Sequence, residues 1–241
     1  MPGRLALVGS GEYLPVMQDV EEWLFGDNPR VYVQLATAAA PEGQATLDYW
    51  HRLGREAADR LGAEQVIIDV RSRADADDPR WVESIERAGL IYLSGGNPSH
   101  LATTLRGSKV WDAIVRTWLA GAGLAGCSAG AMAMATYIQS LRAPGFPPTE
   151  GLDIVRGSQV LPHFDRYAKW IPDAALKMAI RDDLTVLGID EDTALVAAPP
   201  DDDAAAPRPW AWQVQGRQSA YVVTKAGKRR IEGTLSLEVS G

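Results

Sequence analysis

An α/β fold, doubly wound around a mostly parallel sheet with helices on both faces, is what this sequence predicts. Two features carry that prediction. Short, almost continuously apolar runs alternate with stretches of helical periodicity. Three of those runs end in small or polar loops, Gly9-Ser10-Gly11-Glu12, Ser94-Gly95-Gly96-Asn97 and Gly126-Cys127-Ser128-Ala129-Gly130. In a parallel sheet such loops converge at the carboxyl ends of the strands, where sites gather. The chain has 241 residues, 46 % hydrophobic and 23 % charged, enough to bury a sizeable core.

Residues 5–8, 31–35, 65–70, 90–93 and 124–127 read as strands. They lack polar alternation, which signals burial on both faces. Between them, residues 45–61 place Trp50, Leu53, Ala57 and Leu61 at spacings of three and four, and Gly62 stands where a helix C-cap belongs. Residues 78–88 start with Asp78 as a cap and Pro79 in the first turn, with Trp81, Val82 and Ile85 facing inward. Residues 109–120 repeat the pattern through Val110, Ile114 and Trp118. From Leu119 to Gln139 no side chain is charged, a length that can span a bilayer. That stretch is mostly alanine and glycine, which supply little transfer energy, so it reads as a buried strand followed by a buried helix.

After Gln159 the pattern changes. Residues 185–190 and 193–197 are strand-like, and 199–209 (PPDDDAAAPRP) form a polar, proline-bounded loop with a solvated acidic tip. Residues 220–224 and 235–239 are further strands, separated by the turn-like Lys225-Ala226-Gly227-Lys228. They are expected to pair as a small antiparallel C-terminal edge. There is no internal repeat.

Composition narrows the function. A net charge of −7 without a long basic run argues against a nucleic-acid groove. One cysteine cannot form an internal disulfide, which fits a reducing, cytoplasmic setting. The opening MPGRLALVGSGEY lacks the apolar core of a signal peptide. Three scattered histidines and the single cysteine have no zinc-like spacing, so neither a metal nor an organic cofactor is expected. Gly9-Ser10-Gly11 after the first strand resembles a nucleotide-binding turn. However, Leu14 stands where a dinucleotide fingerprint has its third glycine, and no Lys-Ser/Thr pair follows.

The stretch LAGCSAGAMAM holds the candidate nucleophile. Gly126, Cys127, Ser128, Ala129 and Gly130 fit G-x-S-x-G between a predicted strand and a predicted helix, the setting of a nucleophile elbow. In that register Ser128 is the apex, and Cys127, one residue early, points into the sheet as a small buried hydrophobe. A serine hydroxyl needs a base. His51 lies amid arginines on the helix of residues 45–61 and reads as a surface residue. His100 follows the Ser94–Asn97 loop and can equally cap the next helix. His163 ends the short apolar run Val160-Leu161-Pro162. The imidazole needs a carboxylate partner, and Asp190, Glu191, Glu150 and Asp153 are all candidates. Gly95, Gly96 and Asn97 can present backbone N–H groups to an oxyanion, with Ala129 as a second donor at a helix start.

Together, Ser94-Gly95-Gly96-Asn97, Gly126-Cys127-Ser128-Ala129-Gly130-Ala131, Pro162-His163-Phe164 and Gly188-Ile189-Asp190-Glu191-Asp192-Thr193-Ala194 resemble the ordered motifs of the cyanophycinase and dipeptidase E family of serine peptidases. The resemblance runs over about residues 4–240 and implies a class I glutamine amidotransferase-like fold. It implies a Ser128-His163-Glu191 triad, with Glu150 as the rival acid, and an oxyanion hole of Gly96, Asn97 and Ala129. Gly95, Pro98, His100 and Arg166 are the candidate substrate-binding residues. The substrate it implies is a small peptide or isopeptide, such as an aspartyl dipeptide, hydrolysed through an acyl-enzyme. Residues 1–241 would then form one hydrolytic domain with a β extension at about 193–241; a homodimer is compatible with this reading.

Two departures bear on substrate. Cyanophycinases usually read Gly-Gly-Asn-Gln in the loop, and here Asn97 precedes Pro98, which has no N–H. Cyanophycinases also follow the histidine with several spaced arginines, where the equivalent stretch of this chain has only Arg166 and Lys169, followed by Trp170. These departures argue against cyanophycin as the substrate, and the altered Asn97-Pro98 loop favours a second reading, a non-catalytic ligand-binding or regulatory member of the amidotransferase-like superfamily, distinguished by a lack of turnover. A glutamine amidotransferase proper is disfavoured, because that chemistry needs a thiol at position 128.

Overall fold

The computed structural model describes residues 1–139, 148–166, 177, 180–200 and 209–240. Lys169, Trp170 and the acidic tip at 201–203 lie outside the described residues.

Five strands form the parallel part of the main sheet: β1 (Leu5–Val8), β2 (Val31–Leu35), β3 (Glu64–Ile67), β4 (Leu90–Leu93) and β5 (Gly123–Cys127). Their order is β1-β5-β4-β2-β3. The connecting helices are α1 (Gln18–Phe25), α2 (Gln44–Arg60), α3 (Arg73–Ala76), α4 (Val82–Glu86), α5 (Pro98–Leu105), α6 (Lys109–Leu119) and α7 (Ala129–Met134). Double winding is visible in β1. Leu5 and Leu7 join a core with α4, α5, α6 and α7, while Ala6 and Val8 join one with α1 and α2. Successive side chains of a strand face opposite sides, so a run apolar at every position is one covered on both.

Most expected elements hold, with shifts at their ends. The strand expected at 65–70 is Glu64–Ile67. The helix expected at 78–88 starts as a single-turn 3-10 helix, Pro79–Trp81, capped by Asp78 Oδ1 accepting the Arg80 N–H at 2.9 Å, and continues as α4. Ile85 is fully buried, whereas Trp81 and Val82 are half-buried against the core. Gly62, at φ +61°, follows the end of α2 as its C-cap position requires.

A short hairpin of β6 (Tyr137–Ile138) and β7 (Thr149–Glu150) follows. Then come β8 (Ser158–Leu161), β9 (Thr185–Ile189), β10 (Thr193–Ala197), β11 (Pro209–Gly216), β12 (Ala220–Thr224), β13 (Gly227–Arg230) and β14 (Leu235–Glu238). β10 lies antiparallel to β1 and continues the main sheet outward as β10-β11-β14. A second, four-stranded sheet has the order β13-β12-β9-β8.

The expected pairing of 220–224 with 235–239 is therefore incorrect. β12 pairs with β9 and β13, and β14 pairs with β11. The intervening turn Lys225–Lys228 opens the β12–β13 hairpin instead. β11 was not anticipated from its proline-rich start. It alternates Trp210 and Trp212, both buried, with exposed Pro209, Ala211 and Gln213, and the Trp210 ring lies 6.0 Å from that of Trp118.

Candidate active site

β5 runs through Ser128 directly into α7. Ser128 has φ +50° and ψ −107°, a strained conformation for a residue with a side chain. Its flanking glycines are sterically required. A Cβ on Gly126 would lie 2.5 Å from the Gly130 carbonyl carbon, and one on Gly130 would lie 2.2 Å from the Leu93 carbonyl oxygen. The G-x-S-x-G spacing thus has a physical cause in this turn. Cys127, the last residue of β5, is fully buried as expected but is not merely apolar filler. Its Sγ donates to Glu12 Oε2 at 2.8 Å. Burial, reinforced by the Glu12 charge, pushes the thiol well above its usual range, so it stays protonated.

Parallel pairing of β8 and β9 brings the next two residues together. Leu161 lies opposite Gly188, and both chains then leave the sheet at the same end. His163 follows Leu161 closely and adopts φ +50°; Glu191 lies just beyond β9. His163 Nε2 stands 3.0 Å from Ser128 Oγ, and His163 Nδ1 stands 2.9 Å from Glu191 Oε1. Glu191 is held from several sides. Its Oε2 pairs with Arg166 Nε at 3.1 Å, and its backbone N–H donates to Asp165 Oδ1 at 2.9 Å. Its carbonyl accepts from Thr193 Oγ1 at 3.0 Å and Gln218 Nε2 at 2.9 Å.

The other candidate acids lie elsewhere. Glu150 is exposed on β7 and its Oε2 accepts from Arg106 Nη1 at 2.7 Å. Asp153 accepts from Thr136 Oγ1 at 2.5 Å. Asp190 is buried, which raises its pKa, and its Oδ2 accepts the Ser219 N–H at 3.3 Å. The other histidines are also placed apart from Ser128. His51 is half-buried on α2, not a plain surface residue, and burial lowers its pKa. The His100 ring Nε2 lies 3.0 Å from the Arg71 carbonyl oxygen.

A cleft of about 600 Å³ opens over Ser128. Gly96, Asn97, Pro98, Ser99, Ala129 and His163 are among its walls. The loop after β4 corrects one expectation. The Asn97 N–H donates to Ala38 O at 2.7 Å, and the Asn97 side chain caps α5 by accepting the His100 N–H at 3.0 Å. Asn97 therefore has no backbone donor to offer an oxyanion. The Gly95 N–H is likewise committed, to Glu12 Oε1 at 3.1 Å. The N–H groups of Gly96 and Ala129 have no partner among the described residues. Of the expected substrate-binding residues, Pro98 lines the cleft, His100 faces Arg71, and Arg166 faces Glu191.

Sequence reading passed over several cleft residues, among them Glu42, Met132, Ile138 and Gln139. It also assigned nothing to Glu12, although it singled out the loop that carries it. That loop is packed against its own chain. A Cβ on Gly9 would lie 2.1 Å from Asp190 O, and one on Gly11 would lie 2.6 Å from Asp192 Oδ1. These glycines let the loop pack closely against the connection from Asp190 to Asp192. Among the described residues, no helix is long and apolar enough to cross a membrane, and no group of His, Cys, Asp and Glu could hold a metal ion.

Comparison with known proteins bears on the fold and the family. A peptidase from an acI-B1 Actinobacterium superimposes with a TM-score of 0.84 at 38 % identity, covering 99 % of this chain and 97 % of that one. A protein named as a peptidase E from Listeria monocytogenes EGD-e superimposes at 0.62 with 18 % identity, over 90 % of this chain and all of that one, and shows the shared fold. A cyanophycinase from Nostoc sp. is 30 % identical over 180 residues, 69 % of this chain and 57 % of that protein. One from Geminocystis herdmanii is 29 % identical over 147 residues, 56 % and 53 % of the two chains. The chain thus spans little more than half the length of these cyanophycinases. The model of peptidase family S51 matches residues 9–201. With its α/β fold, its mostly parallel main sheet and this match over most of its length, the chain belongs to the S51 family of serine peptidases.

Proposed function

We propose that the chain hydrolyses a small peptide or isopeptide through a Ser128-His163-Glu191 triad. The observation that carries this is the continuous line of contacts from Ser128 Oγ through both nitrogens of His163 to Glu191, opening into one cleft. In this reading His163 Nε2 takes the Ser128 proton as Oγ attacks the scissile carbonyl, and Glu191 steadies the imidazolium. The same proton then passes to the leaving amine. Water, deprotonated by His163, releases the acid product from the acyl-enzyme. Gly96 and Ala129 N–H are the donors for the oxyanion.

A cleft of this volume suits a short peptide, which supports dipeptidase or exopeptidase action over cleavage within a long chain. The site draws on loops from both sheets, which supports residues 1–241 acting as one hydrolytic domain.

The test is amino-acid release from α-aspartyl, β-aspartyl, glutamyl and neutral dipeptides by wild type beside Ser128→Ala. The expected result is release by wild type and at least about a 10³-fold loss in the variant, the scale on which triad members act. Release that survives Ser128→Ala overturns the reading. No release by either folded protein would move the assignment to the ligand-binding alternative.

A further inference from the structure

We infer that Glu12 is a positioning residue for the proposed reaction, holding the Gly95-Gly96 loop and the nucleophile turn in register with each other from beneath the cleft. This rests on the reading of Ser128 as nucleophile. Glu12 follows β1, and β5 lies between β1 and β4 in the main sheet. From there its carboxylate contacts the ends of both other strands. Oε2 accepts from the thiol of Cys127, the residue before Ser128, at 2.8 Å. Oε1 accepts the N–H of Gly95, just after β4, at 3.1 Å.

The packing places a side-chain acceptor of this length between the two loops. Glu12 is 6 % exposed, so water competes little for its oxygens. A Cβ on Gly95 would lie 2.9 Å from Glu12 Oε1, so a side chain there would press on the carboxylate, and 3.6 Å from Ser128 Cβ, an ordinary contact. Fixing the Gly95 amide leaves the next amide, that of Gly96, as the unpartnered donor on the cleft wall. Charge-assisted hydrogen bonds are the stronger kind, and a buried pair of them anchors two loops through one side chain. Glu12 contacts neither the proposed base nor its acid, so its effect acts through the loops.

The experiment follows Ser128 with a fluorophosphonate, which needs no knowledge of the natural substrate. Ser128 Oγ forms a bond to phosphorus, fluoride leaves, and the hydroxyl proton passes to His163. The limiting rate constant per labelled site and the half-saturating probe concentration are measured separately for wild type, Glu12→Ala, Glu12→Asp and Glu12→Gln. Removing one oxyanion donor costs about 10²–10³-fold, so misplacing one should slow Glu12→Ala about 10-fold or more. Glu12→Asp, too short to span both partners, should also slow. Glu12→Gln, which keeps the acceptor for Gly95, should stay within about 3-fold of wild type. Half-saturation should barely move.

A merely structural role would lower the labelled fraction and leave the rate constant per site unchanged, and that result overturns the proposal. So does failure of both shortened variants to fold, which would make Glu12 a stability element. Wild type that does not label at Ser128 overturns the nucleophile reading itself, and the role of Glu12 with it.

Discussion

Substituting Gly130 by alanine probes the coupling between the nucleophile turn and the oxyanion loop. The new Cβ would lie 2.2 Å from the Leu93 carbonyl oxygen and 2.9 Å from its carbonyl carbon, where ordinary contact begins at 3.4 Å. Backbone on both sides must yield by about 1 Å, since neither partner is a flexible side-chain tip. Leu93 ends β4, immediately before the Ser94–Asn97 loop, and Gly130 belongs to the turn that carries Ser128. Relief of the clash therefore separates the two halves of the proposed oxyanion hole. A displacement of about 1 Å at reacting groups costs about 10²-fold in rate, and overpacking costs about 1–3 kcal/mol in stability. The assay is phosphonylation rate per folded protein, alongside thermal unfolding. Gly62→Ala is the control, since Gly62 has φ +61° and open space around it. It should lose about 1 kcal/mol from backbone strain while labelling normally. A Gly130→Ala protein that labels as fast as wild type would refute the claim that this glycine sets the site's geometry.

The remaining predictions address the acid, the cysteine and pH. Glu191→Gln should cut turnover by at least about 10²-fold because His163 loses the charge that stabilises its imidazolium, while Glu150→Gln, which removes an exposed partner of Arg106, should leave turnover unchanged. Side-by-side kinetics on any cleaved peptide decide between them, and the reverse outcome would restore Glu150. Cys127→Ser should retain most activity, since the hydroxyl can still donate to Glu12; loss of activity in that variant with activity retained in Ser128→Ala would mean the cysteine is the nucleophile after all. Glu21, buried on α1, has a pKa raised from 4.5 to about 7, chiefly by burial, against the lowering effect of Tyr32, the Tyr13 N–H and Arg60. The folded state thus holds the proton more tightly than the unfolded state. The contribution of Glu21 to stability is full below about pH 4.5 and falls by about 3 kcal/mol as pH rises to 7, then levels off. Thermal melts from pH 4 to about 8 should show that decline in wild type and lose it in Glu21→Gln; parallel profiles would place the titration elsewhere.

Local chemistry made part of the site legible and long-range pairing hid the rest. Ser128 stood out because a strained apex demands glycine two residues away on either side, and that demand is written within five consecutive residues. The parallel strands were equally readable, because burial on both faces leaves an apolar run with no alternation. Asn97 was misread because its N–H is consumed by Ala38, a contact across a long stretch of chain that no local pattern records. Glu12 was missed for the same reason, since both its partners lie on other strands. The C-terminal strands misled by adjacency. Neighbours in sequence usually pair, but β13 intervenes before β14, and β14 crosses to the other sheet.

That crossing of sheets bears on how the site holds together. The main sheet supplies Ser128, Gly96 and Ala129, while His163 and Glu191 leave adjacent parallel strands of the small sheet. The His163–Glu191 contact is therefore fixed within one unit, and the Ser128–His163 contact bridges two. One of the ties between them is the short connection Asp190-Glu191-Asp192, which leaves β9 in the small sheet and enters β10 beside β1 in the main one. Its backbone is seated on Gly9, Gly11 and Gly216, where a side chain would collide with Asp190 or Asp192. The acid of the proposed triad thus sits on the joint between the sheets. A substitution that lifts this connection would lengthen the Ser128–His163 distance while leaving the His163–Glu191 pair intact. Gly9→Ala, with its Cβ 2.1 Å from Asp190 O, is that substitution. It should slow phosphonylation of Ser128 about 10²-fold while the His163 Nδ1 proton, read by NMR, keeps the downfield signal of its bond to Glu191. Loss of that signal together with the rate would mean that the two sheets do not move as separate bodies.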